Sequence, residues 1–450
     1  MKRKRIIILL GVLLSFLTFG CGEEKQENQS KNENEEVSEE TDSGKISVWS
    51  TLSQEEMNYY VSLYKEANPD GAEVEVTCIP EDDYVSKLQA AFAAGEEVGD
   101  VMYIEITNFG VFKETGVLET LNDYEGAEDI LEEQYEYVSG LSKNSAGEIK
   151  GISYQATPGG LWYRRDLAEK YLGVSEPKEV QELVKDWDTL IETGKKVYEA
   201  SGGEVALLDD ATTVWTIMQY NAKGGPWVDP ETNTLLADSK IANIFQLAKN
   251  IRDNNVDAKL TQWDASWTAG IYDSEKYIMM GLPSWGLPYV IKANTPEDKW
   301  EEVAGNWGLV EAPQTYYSGG TWLCMSATSE NKEGAWDFIK TMTSDQNILT
   351  KGLIEYEGDF VSNREAIRKA TEEGHTDQFL GDQNYFEVFD SIASNITAVP
   401  TTKYDTQCVN SFEAVLSQML NGDLTVVEAV ASFKADVQNV YPELVFEEDR

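Results

Sequence analysis

Histidine is almost missing from this chain: His375 is the only one in 450 residues. That excludes a zinc site built on several histidines and any catalytic triad that needs a second imidazole. Cysteine is scarce too. Cys21 falls in a leader, and Cys78, Cys324 and Cys408 are far apart and odd in number. No metal-ligand spacing appears, and small buried hydrophobes are expected there rather than a disulfide framework. Basic residues are outnumbered, 36 against 80 acids, for a formal charge of -44. Such a chain repels polyphosphate, so nucleic acid is not an expected partner. There is no P-loop pattern, no G-x-S-x-G, no H-E-x-x-H and no dinucleotide glycine fingerprint after the first strand. These absences argue against the motif-bearing enzymes and imply no cofactor. They leave room for a surface glycoside hydrolase, which needs two carboxylates and no short motif.

What is present begins with a leader. Lys2, Arg3, Lys4 and Arg5 precede an apolar run at residues 6–20, too short for a comfortable membrane span but right for a signal peptide. The run closes on LTFGC (17–21), which resembles a bacterial lipobox with Leu17 one place further from the cysteine than usual. Cys21 is the expected lipidation site, and the membrane is expected to be reached through that anchor. Residues 21–44 read as a disordered tether: from 22 on they hold nine acids, two lysines and almost nothing apolar.

The body has the length for two or three domains and a large core. Its first part alternates strands (45–50, 73–79, 100–106) with helices, the earliest boxed by Ser53 and Glu56. This rhythm argues for a parallel sheet covered by helices, with ligand at the carboxyl ends of its strands, near 50–53 and 105–108. A further helix is expected to start at Phe109. The stretch GISYQATPGGLWYRRDLAEKYL (151–172) reads as strand, Pro-Gly-Gly break, short strand, then a helix that Asp166 can cap with Glu169 three residues on. Arg164 and Arg165 read as solvated or capping charges. Later segments are more helical, interrupted by strands at 277–283, 307–313 and 319–326. Thr425 and Glu428 box the last helix.

Trp162, Trp215, Trp263, Trp267, Trp285 and Trp322 sit in or beside loops flanked by glycine or polar residues. A flat indole suits the apolar face of a pyranose, while nearby Asp, Glu, Asn and Thr can bond its hydroxyls. Trp49, Trp187, Trp300 and Trp336 read as core. With 80 acids, a single carboxylate is most often a solvated charge. Glu105 stands out because it ends an otherwise apolar strand, and Asp209-Asp210 is as suited to capping the next helix as to binding.

Four motifs in order resemble the family 1 extracellular solute-binding proteins, the sugar-capturing subunits of ABC importers. They are DVMYIEITNFGVFKETGVLETL (100–121), GGLWYRRDL (159–167), MGLPSWG (280–286) and GGTWLCMSATSENKEGAWDFIKTM (319–342). The resemblance implies an α/β, periplasmic-binding-protein-like fold: two lobes, each a mainly parallel sheet flanked by helices. Three hinge crossings would lie near 151–153, 307–313 and 351–360. The lobes would be 45–151 plus 312–354 and 152–311 plus 355–450. It implies a non-catalytic, monomeric receptor on the outer face of the membrane that closes on an oligosaccharide and hands it to permease subunits. In the ligand-facing loop it puts Glu105 and Asn108 as hydroxyl partners, with Ile104 where maltose binders often carry Trp. It also puts a polar contact near Thr157, an aromatic at Trp285 (with Ser284 as an extra residue), a late platform near Tyr404, and Trp215 one turn ahead of a Gly-Gly turn. Trp322 joins these as a weaker stacking candidate, and Trp162 drops to packing. A non-sugar solute in the same fold is a further alternative.

Overall fold

The computed structural model describes residues 44–447 except 219–225, 230, 358–359, 382, 398 and 400–401. The leader, Cys21, the tether through residue 43 and the Gly224-Gly225 turn therefore lie outside the described residues.

Strand β1 (Lys45–Ser50) turns Ile46, Val48 and Ser50 inward. Ser53 then caps α1 (Gln54–Ala67) in the expected box, its N–H donating to the Glu56 carboxylate at 2.9 Å. Met57, Tyr60 and Tyr64 bury one face of that helix. The chain returns through β2 (Glu73–Cys78), α2 (Glu81–Ala94) and β3 (Val101–Glu105). β1 pairs in parallel with both β2 and β3, so the strand order reverses at β1. A sheet of this kind takes its ligand outside the carboxyl ends of the strands beside that reversal. Helix α3 (Ile106–Phe112) starts there at once, three residues earlier than the sequence suggests.

The later strands are β4 (Ile152–Ser153), β5 (Pro158–Arg164), β6 (Ala206–Leu208), β7 (Val228–Asp229), β8 (Thr234–Leu235), β9 (Tyr277–Pro283), β10 (Trp307–Tyr317), β11 (Thr321–Met325) and β12 (Val445–Phe446). They complete one sheet in the order β2-β1-β3-β11-β4, a second in the order β10-β5-β9-β6 and a small third, β12-β8-β7. Both large sheets are mixed. β11 runs antiparallel to β3 and β4, and β5 runs antiparallel to β10 and β9; β6 and β9 are parallel. β5 and β11 each arrive from the other large sheet, between β4 and β5 and between β10 and β11. The second passage comes later than 307–313 because β10 stays paired with β5 to Tyr317, across an irregularity between Glu311 and Tyr316.

Two apolar cores follow this division. One gathers Val48, Met102, Phe109, Trp322, Leu323 and Phe338 around the five-stranded sheet, and reaches Trp162 and Met280 of the four-stranded one. The other gathers Leu161, Leu207, Trp215, Phe245, Phe412 and Phe433. Gly159 permits the close pairing of β5 with β10: a Cβ there would lie 2.1 Å from the Tyr316 ring.

Two readings of the 151–172 stretch are corrected. Asp166 does not cap the helix Arg165–Leu172, whose N-cap is Arg164. Its carboxylate instead accepts from Nε and Nη2 of Arg164 at 2.9 and 2.6 Å. Nor are the arginines solvated. Arg164 is buried and donates to the carbonyls of Gly270 and Ser274; Arg165 donates to those of Trp307 and Ser175. β5 lies between two other strands, so the residues at its end are enclosed and must satisfy backbone acceptors. Trp162 is packed, its Nε1 donating to Leu282 O at 3.0 Å. Cys78, Cys324 and Cys408 are unpaired. Among the described residues no helix is long and apolar enough to cross a membrane.

Candidate functional site

A cavity of about 670 Å³ opens beside the carboxyl end of β9. β9 ends at Pro283, Ser284 N–H makes a last bond to Pro158 O at 2.9 Å, and Trp285 follows on the turn. Its Nε1 donates to Ser318 O at 3.1 Å, which fixes the ring beside the β10–β11 connection. Gly319 and Gly320 make that connection possible, with φ of +79° and +109°. Trp215, on the helix Thr213–Met218, forms a second wall. It stacks on Phe412 at 4.3 Å and donates from Nε1 to Glu413 at 3.1 Å.

The third wall is the loop 259–263. Trp263 is 58% exposed, lies nearly parallel to Trp285 (20°, centroids 6.4 Å apart) and leans on Trp267. Its φ is +77°, and that of Lys259 in the same loop is +58°. A left-handed conformation costs a bulky side chain roughly 1–2 kcal/mol, and such strain concentrates at functional sites. Leu260 N–H anchors the loop to Asp209 O at 3.1 Å.

The polar lining is largely paired. Arg252 donates to Asp210 at 2.9 Å and to Asp257 at 2.8 Å. Burial pushes the Asp257 carboxyl up, and Arg252 partly offsets this. Asp209 faces away from the cavity, accepting from Trp267 Nε1 (2.7 Å) and Thr213 Oγ1 (2.9 Å); burial pushes it up to about 7.

The residues expected at the site separate into three places. Trp215 and Trp285 line the cavity. Glu105, Asn108 and Tyr404 lie instead around a junction between the two cores. There Thr406 Oγ1 donates to Thr107 O at 3.3 Å, joining the helix Asp405–Leu420 to α3. Glu105 caps α3, accepting from Thr107 N–H at 2.7 Å, and burial pushes its carboxyl up to about 7. Asn108 is half-buried on the first turn of α3. Next to the junction Asp405 is pushed up to about 6 and Lys113 down to about 8, both chiefly by burial. Tyr404 is buried, edge-on to Tyr441. The third place is the five-stranded sheet. Thr157 is buried beside it, donating to Gly319 O at 3.0 Å. Trp322 is core rather than a stacking surface: it stacks on Phe109 (5.3 Å, 9°) and donates to Ser142 Oγ. Both faces of β11 are covered, and Trp322 does not line the cavity.

The profile of the bacterial extracellular solute-binding protein family matches residues 60–371. The chain belongs to that family. A lactose-binding protein of Rhizobium radiobacter is 25% identical over 411 residues, covering 83% of this chain and 88% of that one. A maltotriose-binding protein of Pyrococcus abyssi (strain GE5 / Orsay) is 23% identical over 333 residues, 69% of this chain and 65% of the other. Among solved structures, an extracellular solute-binding protein of family 1 superposes with a TM-score of 0.76 at 19% identity, over 88% of this chain and 99% of that one. The sugar-binding protein MalE of Xanthomonas citri gives 0.71 at 17% identity, over 89% and 98%. The fold is thus the two-lobe binding-protein fold. In this solute-binding protein, sequence reasoning placed Trp263 among the loop aromatics but not in the site, and missed Arg252 and Glu413 altogether. The signal for Trp263 was its polar neighbours Gln262 and Asp264. Nothing local marks Arg252, whose partners lie at 210, 257 and 420.

Proposed function

We propose that the protein is a carbohydrate receptor of an ABC importer. One lobe is built on the five-stranded sheet and the other on the four-stranded sheet. They close on an oligosaccharide by hinge motion and present it to permease subunits, while Cys21 carries a lipid that holds the receptor at the outer face of the membrane. The observation that carries this reading is the cavity of about 670 Å³ walled by the indoles of Trp215, Trp263 and Trp285 among paired polar groups. That combination suits the apolar faces and hydroxyl edges of sugars. The relatives named for lactose and maltotriose point the same way. Both carboxylates that line the cavity are engaged, Asp210 by Arg252 and Glu413 by Trp215. This favours a binder, which returns its ligand intact, over a hydrolase.

Calorimetric titration with lactose and maltotriose tests the reading. At least one should bind, quench or shift tryptophan fluorescence, and be recovered uncleaved. Trp285→Ala should cost about 2 kcal/mol of binding. Release of reducing monosaccharide, or the absence of binding by any neutral di- or trisaccharide, would sink it.

A further inference from the structure

The cavity is lined by two unlike groups of residues. Trp285 and Trp263 form one; Arg252, Asp210, Ser417 and Asn421 form the other, along the second half of the helix Asp405–Leu420. Arg252 dominates the second group. It projects from the last turn of the helix Ala242–Asp253. Three bonds hold it: Nε to Asp257 at 2.8 Å, Nη2 to Asp210 at 2.9 Å and Nη1 to Leu420 O at 3.2 Å. A guanidinium has more N–H groups than these three bonds use. The remainder have no partner among the described residues, and the side chain lines the cavity.

The plain structural role of such an arginine is to tie helices together. Leu420 O, and Asp257 from behind the wall, already do that. Asp210 adds something different, because it brings a carboxylate to the cavity wall and is fixed in turn by Thr212 N–H at 2.9 Å. The result is a planar donor and a carboxylate held rigidly side by side on a cavity wall. Their orientation is set before any ligand arrives, which lowers the ordering cost of binding.

We infer that Arg252, with Asp210 beside it and Ser417 and Asn421 around it, reads the hydroxyls of one end of the bound sugar and restricts the site to uncharged ligands. This deepens the carbohydrate reading and rests on it. The charge argument is direct. Arg252 and Lys259 are the cations in the wall; Asp210 and Glu413 are the acids, with Asp257 immediately behind. The wall alone is balanced, two against two; Asp257 makes the acids three, and the whole chain carries a formal charge of -44, so a uronate or sugar phosphate would approach through an unfavourable field. A neutral hydroxyl accepts from the free N–H groups and donates to Asp210 without adding charge. A ligand lacking that hydroxyl would leave enclosed polar groups unpaired, which is the strongest basis for discrimination.

The test uses the full chain, with lactose, maltotriose and digalacturonic acid as calorimetric probes. Arg252→Lys keeps the charge but loses the fork. It should weaken binding of whichever neutral sugar the parent binds by about tenfold or more, with digalacturonic acid binding neither protein. If Arg252→Lys does not fold, the exposed pair Ser417→Ala and Asn421→Ala decides, with an expected loss of about threefold or more. Unchanged neutral-sugar affinity in these folded variants overturns the inference and leaves the carbohydrate reading standing. Digalacturonic acid binding as tightly as the neutral sugar overturns the charge restriction. Failure of the parent protein to bind either neutral sugar removes the reading on which the inference rests.

Discussion

Trp322 and Trp263 are the same residue in similarly mixed surroundings, GGTWLCMS and TQWDASW, and they end in opposite places. Trp322 is 2% exposed, held by Phe109 and Ser142 from distant parts of the chain. Trp263 is 58% exposed, on a left-handed backbone, touching only other indoles among its ring contacts. The first belongs to a sheet, the second to the cavity. A tryptophan near glycine is therefore no evidence of a site by itself. What separates these two is the backbone: a regular strand hands Trp322 to the core, while the left-handed turn at Trp263 holds its ring in the open.

The largest effect that could break this contrast is on Trp322. Trp322→Ala should destabilise folding by about 3–5 kcal/mol, as truncation of a core aromatic does. Binding by the folded fraction should be unchanged. A stable variant that had lost only ligand would move Trp322 into the cavity and erase the distinction.

The first sheet was readable because its signals are local. The Ser53–Glu56 box, the alternation of 45–50 and 73–78, and Gly95 closing α2 each sit within a few residues. The cavity was readable only where a motif marked it, at Trp285 and Trp215. Arg252, Glu413 and the junction partners Thr107 and Thr406 lie far apart in sequence, so their geometry is a property of packing and not of pattern. The start of α3 was misplaced for a related reason. Glu105 looked like the last strand residue, and it is, but its side chain also caps the next helix.

Glu105 stands between the two regions, and its titration sharpens which it serves. Its folded pKa is about 7, against an ordinary value of 4.5, because burial opposes the charge. The folded state therefore binds the proton more tightly than the unfolded chain between those values. The stability this contributes is complete below about pH 4.5 and is lost as pH rises through about 7. Glu105→Gln should remove that slope: urea unfolding of parent and variant at pH 5 and pH 8 should differ in relative stability by on the order of 2 kcal/mol, with the parent losing more at high pH. A difference that does not change with pH would mean that Glu105 is solvated and open to ligand.

Trp263→Gly tests the other side of the contrast. Glycine accepts a φ of +77° without strain, although it adds freedom to the unfolded chain. Folding stability should hold or rise by up to about 1 kcal/mol, while affinity for a bound sugar falls. Thermal melts and calorimetry on the same sample separate these. A loss of stability with intact binding would place Trp263 with Trp322.

The smallest effect concerns the junction, where the question is whether two cores touch permanently or only when the lobes close. Thr406→Val removes one hydroxyl whose bond to Thr107 O, at 3.3 Å, is long. Its net contribution is about 1 kcal/mol or less. If the contact is part of the closed state, that loss appears in the closing equilibrium. Affinity then falls by up to about fivefold while the melting temperature holds. If the contact is constitutive, the same loss appears in the melt and affinity is unchanged. The two buried charged groups nearby make the first outcome the expected one. Lys113 and Asp405 lie on the two sides without bonding each other: Lys113 donates to Leu141 O at 3.0 Å, Asp405 accepts from Thr402 Oγ1 at 2.6 Å, and burial shifts both toward their neutral forms. Buried charges satisfied on their own sides add little across the junction. A junction whose side-chain bond is one long hydrogen bond is weak enough for ligand contacts in the cavity to decide whether it forms.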